Sequence, residues 1–111
     1  MCSIIGSFDK NNIIDLAKLN TRRGQHSWSI SYYSLQYHSI TSVERGLGEL
    51  PVDRIDIPFD SYCIVHQQAP TTENKGSDTI HPAQVVNSYL WHNGILKAEA
   101  IKKLQIGRAH V

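Results

Sequence analysis

The sequence predicts an α+β domain, or a mixed α/β one, with substantial antiparallel pairing. Three observations carry this. The segments run strand, helix, a series of strands, then helix. The strand series shows aromatic and polar residues in alternation. The polar stretch between the first two strands of that series is short enough for a hairpin.

The first strand is read over Cys2 to Phe8, where Ile4 and Ile5 supply the apolar body and Gly6 marks close packing or a bend. Asp9 is placed to cap the helix that follows. In NNIIDLAKLN, residues Ile13, Ile14, Leu16 and Ala17 favour one face, with Ile13 and Ala17 one turn apart. Arg22, Arg23 and Gly24 end that helix, because basic side chains suit its C-terminus and glycine suits a left-handed exit.

WSISYYSL, from Trp28 to Leu35, fits a strand with one covered face, and His38 to Gly46 reads as its hairpin partner. A weaker extended stretch around Ile55 to Ile57 follows Pro51, which interrupts regular pairing. Tyr62 to Gln68 reads as a stronger strand than that stretch. APTTENKGSDTIHP, with two prolines, a glycine and many small polar residues, reads as an exposed loop. Val85 to Trp91 returns to strand composition, Asn93-Gly94 signals a turn, and KAEAIKKLQ reads as a helix with Ala98, Ile101 and Leu104 on one side.

Composition bounds the function. A length of 111 residues suits one domain at most, and 41% hydrophobic with 19% charged residues suits a soluble globular chain. A formal net charge of +1 gives no broad positive field, so a nucleic-acid surface is not expected. The aromatic residues Trp28, Tyr32 and Tyr33 are accounted for by alternation on a sheet face rather than by base stacking. Apolar runs are far too short for a membrane span, and MCSIIGSFDKNN turns polar before a secretory segment forms, so a cytoplasmic protein is expected. The two cysteines, Cys2 and Cys63, then read as free thiols, with Cys63 packed inside a strand. His66, His81 and His92 are the histidines that a fold might gather on a metal, but no ligand-spacing motif supports them, and no cofactor or metal is expected.

Cys2 has a specific chemical opportunity. Removal of Met1 leaves the thiol beside its own α-amine, whose reference pKa of about 8 is close to the thiol's value of about 8.5. That amine can then accept the thiol proton and serve as the general base, the logic of an N-terminal threonine nucleophile. The same residue would also suit the start of a buried strand. Asn93-Gly94 offers an amide and a backbone N–H that can converge on an oxyanion, where one such donor is worth about 3 kcal/mol. By itself it is a common turn dipeptide.

Taken together, these segments resemble the class II glutamine amidotransferase domain, the glutaminase half of enzymes such as amidophosphoribosyltransferase and glutamine-dependent asparagine synthetase. MCSIIGSF is similar to the family's MCGI-G opening and puts Cys2 on the nucleophile. TRRGQHSWSI resembles HRGQ-S-GI, matching Arg23, Gly24, Gln25 and Ser27. VHQQAPT resembles GHTRYAT, matching His66 and Thr71, and Pro82 of IHPA matches the proline of N-A-Q-P. LWHNGILKAEAIKKL resembles L-HNG-L-N-EELR, putting His92, Asn93 and Gly94 on the signature. Order and spacing agree over about residues 2 to 104.

The resemblance implies the four-layer αββα fold of N-terminal nucleophile hydrolases, incomplete in this chain. It implies hydrolysis of the glutamine side-chain amide: Cys2 attacks, Asn93 and Gly94 hold the oxyanion, and Arg23, His66, Gln68, Thr71 and His92 lie at the substrate. Ammonia would pass to a synthase domain or subunit. Three departures from the family stand out. Ser3 replaces its glycine after the nucleophile. Gln68 falls where the family has the arginine that clamps the glutamine α-carboxylate, and a neutral amide cannot form that bidentate charged pair. The family's amine-binding aspartate lies past the matched residues. A degenerate, non-catalytic binding module and a hydrolase of a different amide are the competing readings. The final IGRAHV resembles one reading frame of a sequencing-adapter oligonucleotide, so the amidotransferase-like part is expected to span 2–105, with 106–111 a non-native tail.

Overall fold

The computed structural model describes residues 3–20, 26–68, 80 and 82–91. They form an α+β arrangement of one helix and two antiparallel sheets. The larger sheet has strand order β1-β4-β2-β3, built from β1 (Ser3–Ser7), β2 (Ser27–Ser34), β3 (Ser39–Leu47) and β4 (Ser61–Gln68). The smaller is the hairpin of β5 (Ala83–Val85) and β6 (Ser88–Leu90). The expected pairing of β2 with β3 is present, with an irregularity between Tyr32 and Tyr33. The first expected strand is present as β1, while Cys2 itself and the expected helix KAEAIKKLQ lie outside the described residues.

Register divides the large sheet into two unlike faces, because side chains alternate along each strand. Trp28, Ile30 and Tyr32 of β2 share a face with Cys63, Val65 and Gln67 of β4 and with Ile5 of β1. This is the core face. The helix α1 (Lys10–Asn20) packs on β1 and β4, burying Ile13 and Ala17, the pair one turn apart. Asp9 starts that helix as expected: its carboxylate accepts the Asn11 N–H at 2.8 Å, and its own N–H donates to Ser7 Oγ at 3.0 Å. Beside the helix, residues 50–57 cover the rest of the face.

In that covering segment a single 3-10 turn (Val52–Arg54) follows Pro51, and Ile55 to Ile57 is extended chain without a ladder partner rather than a strand. Ile55 is nevertheless fully buried among Leu50, Trp28 and Ile30 in the core cluster. Tyr32 fastens the segment through its phenol, which accepts the Asp56 N–H at 2.9 Å. Gly46 lies under Trp28, where a Cβ would fall 2.8 Å from the indole Nε1, so only glycine leaves room for the ring.

The other face is unusual in its short polar side chains. Ser27, Ser29 and Ser31 are all buried there, in register with Gln68, His66 and Ile64. Arg45 of β3 stands opposite Ser29 on the same face. Toward one edge Phe8 meets Tyr62 edge-on, at 4.8 Å between ring centres. We call this the serine face.

Two expectations from composition differ from the structure. Of the stretch read as an exposed loop, only Ile80 and Pro82 are among the described residues, and both are buried, with Arg45 holding their carbonyls against the sheet. Val85 to Trp91 is a hairpin rather than one strand, because the chain reverses at Val86-Asn87.

Candidate functional site

One end of the large sheet gathers the segments that the sequence reading assigned to the site. β1 starts there at Ser3, β2 starts there at Ser27, and β4 finishes there at Gln68. Ser3 pairs with Gln67, and Ser27 pairs with Gln68. Residues more than forty positions apart are thereby brought side by side.

Hydrogen bonds fix this end. Ser27 Oγ donates to Gln68 Oε1 at 2.9 Å, and both residues are buried. Ser3 Oγ donates to Gln67 Oε1 at 3.3 Å. The backbone continues the ladder past the strands: His26 N–H donates to the Gln68 carbonyl at 2.8 Å, and Gly48 N–H donates to the His26 carbonyl at 2.9 Å. Gly48 makes that turn with a φ of +85°, which favours glycine. His66 is wholly buried, one ladder step inward, between Ser29 and Ile4.

Gln67 Nε2 and His26 Nε2, both buried at this end, have no hydrogen-bond partner among the described residues. An unmatched buried amide donor carries a desolvation penalty of about 1–3 kcal/mol. It is suited to receive a carbonyl or carboxylate oxygen. Gln67 lies on the core face of the sheet, opposite Gln68 and His66, and residue type alone marks neither Gln67 nor His26.

Of the expected site residues, His66 and Gln68 stand together at this end. Cys2, Arg23, Thr71, His92, Asn93 and Gly94 lie outside the described residues, as does His81. The serine hydroxyl orients the Gln68 amide through its oxygen, leaving Nε2 as the donor end. Arg45 is the nearest described arginine by register, and its guanidinium is taken up by two backbone carbonyls. Among the described residues, then, Gln68 is not accompanied by an uncommitted guanidinium on its face.

The remaining thiol is of a different kind. Cys63 is free and fully buried in the middle of β4, and burial pushes its pKa up to about 11. It is a packing residue, as its position in YCIVH suggested. Among the described residues, no three His, Cys, Asp or Glu side chains are grouped to hold a metal ion, and no helix is long and apolar enough to cross a membrane. Compared with protein-family models, curated proteins and solved structures, the chain matches none.

Proposed function

We propose that this chain is the N-terminal part of a glutaminase that uses an N-terminal cysteine, in an αββα amidotransferase domain. The reading comes from the five-segment resemblance. The observation that supports it best is the β1–β4–β2 pairing, which brings the start of β1 beside Gln68 and Ser27 at one sheet end.

In this mechanism the Cys2 sulfur attacks the carbon of the glutamine side-chain amide, and the Cys2 α-amine takes the thiol proton. The Asn93 amide and Gly94 N–H stabilise the tetrahedral oxyanion. The amine returns the proton to the leaving nitrogen, ammonia departs, and water hydrolyses the thioester to release glutamate. An ammonia-accepting synthase domain or subunit and a cytoplasmic setting complete the proposal.

The 111-residue chain alone is expected to be inactive; in the full-length protein, Cys2→Ala is expected to abolish glutamine hydrolysis and to prevent mass-detected labelling by an electrophilic glutamine analogue. Hydrolysis that survives the substitution defeats the mechanism. A second reading has its own observation: Gln68 is neutral and fixed by Ser27, and Arg45 is committed elsewhere. That combination favours an amidotransferase-like module that binds an amide without cleaving it. Saturable glutamine binding with no turnover and no labelling of Cys2 would select it.

A further inference from the structure

At the end of the sheet away from Ser27 and Gln68, the serine face carries an open groove of about 400 Å³. Five aromatic residues line it, drawn from four parts of the chain. Tyr33 of β2 and Tyr62 of β4 come from the sheet, where they are direct register partners. Phe8 follows β1, and Tyr89 and Trp91 come from β6 and its exit.

The rings are set at different angles. Phe8 stands edge-on to Tyr62, with 72° between their planes. Tyr89 and Trp91 are within 25° of parallel, with ring centres 6.3 Å apart. Aromatic surface therefore bounds the groove on more than one side. None of the five residues is fully buried, so each keeps some surface for a ligand. Trp91 is half-buried, but its Nε1 is wholly so, which leaves carbon surface as the open part of the indole.

The charge of the lining is equally informative. Among its described residues there is no Lys, Arg, Asp or Glu. The face of an aromatic ring carries the negative end of its quadrupole, so walls built of rings attract positive charge. No ammonium or guanidinium group of the lining is there to take those faces. No carboxylate is there either to replace the water around a small metal ion, which takes oxygen ligands. The cation that suits such a lining carries its charge spread over methyl groups.

We propose that this groove binds the quaternary ammonium group of a small soluble molecule of the choline type. Its volume exceeds that of a trimethylammonium head, which leaves room for a short polar tail beside the exposed Asn87. The proposal is independent of the glutaminase reading, because the groove shares no residue with that site.

The 111-residue chain is titrated with choline at about pH 8, where an ordinary imidazole is neutral, and followed by NMR. The choline methyl resonance is expected to shift upfield under the ring currents, and the Trp91 indole resonance to move and saturate. Dimethylbutanol, the neutral carbon isostere, is expected to bind about tenfold more weakly. Equal binding of the two overturns the proposal, since the groove would then select apolar shape alone. Absence of saturable choline binding overturns it too, as does binding to phosphatidylcholine vesicles without binding to choline. Trp91→Leu keeps apolar bulk and removes a ring, so choline affinity is expected to fall about fivefold while that of dimethylbutanol barely changes. Parallel losses would overturn the charge-based recognition. Should that substitution disturb the hairpin, seen in shifted amide resonances of β5 and β6, Phe8→Leu carries the same comparison from outside it.

Discussion

At the scale of single residues, the sharpest contrast is between two thiols of one chain. Cys63 is held protonated by burial, at about 11 against an ordinary 9.0. The consequence for stability has a definite sign. The unfolded chain ionises this thiol near its ordinary value, whereas the folded chain keeps its proton until the higher one. The stabilisation is complete below about pH 9, and it is lost as pH rises toward about 11. A shift of this size corresponds to a loss of up to about 2–3 kcal/mol. Tyr32 adds a smaller effect of the same sign, since burial raises its phenol against the opposing bond from Asp56. Denaturant titrations across this range are expected to show stability falling with pH, and a flatter profile for Cys63→Ala. An unchanged slope in that variant would assign the effect elsewhere. Iodoacetamide is likewise expected to leave Cys63 unmodified until the chain is unfolded. In the proposed mechanism Cys2 would draw its reactivity from the reverse circumstance, a free amine at its side.

Among the elements, the hairpin shows most clearly what a sequence conceals. Strand β2 was readable because Trp28, Ile30 and Tyr32 keep period-two spacing and all face the core. Helix α1 was readable because Ile13 and Ala17 sit one turn apart behind the Asp9 cap. VVNSYLW read as a single strand because its reversal has no glycine to announce it. Val86 instead makes the turn with a φ of 51°. Only the first of the two central residues has positive φ, the pattern of a type II′ turn, in which glycine is preferred. A β-branched residue is strained there. Val86 is 80% exposed, so it has little packing to lose. Val86→Gly is expected to stabilise the hairpin by about 1 kcal/mol, read as roughly fivefold slower amide exchange in β5 and β6. Faster exchange would show that the valine side chain contributes packing that outweighs the strain. The burial of Ile80 and Pro82 was hidden for another reason. It depends on Arg45, thirty-five and thirty-seven positions away, and loop composition carries no trace of that partner. At the candidate site, His66 and Gln68 were legible only through resemblance. Gln67 and His26 were not legible at all, since orphaned donors emerge from packing rather than from residue type.

Across the whole molecule, the described sheet is bounded by β1 on one side and β3 on the other. Each presents an edge that no described strand pairs. Phe59, Leu19 and Leu47 are largely exposed as well, at 96%, 71% and 62%. Open strand edges beside apolar side chains promote association. The isolated 111-residue chain is therefore expected to grow in light-scattering mass as concentration rises. A constant monomer mass with a single cooperative melt would contradict this. The file of serines on β2 has an effect of its own. Where packed sheets ordinarily stand about 10 Å apart, it is bulky side chains that hold them at that distance. Ser27, Ser29 and Ser31 offer only a methylene and an oxygen each. A neighbouring layer can settle nearer the backbone over this strip than over Tyr33.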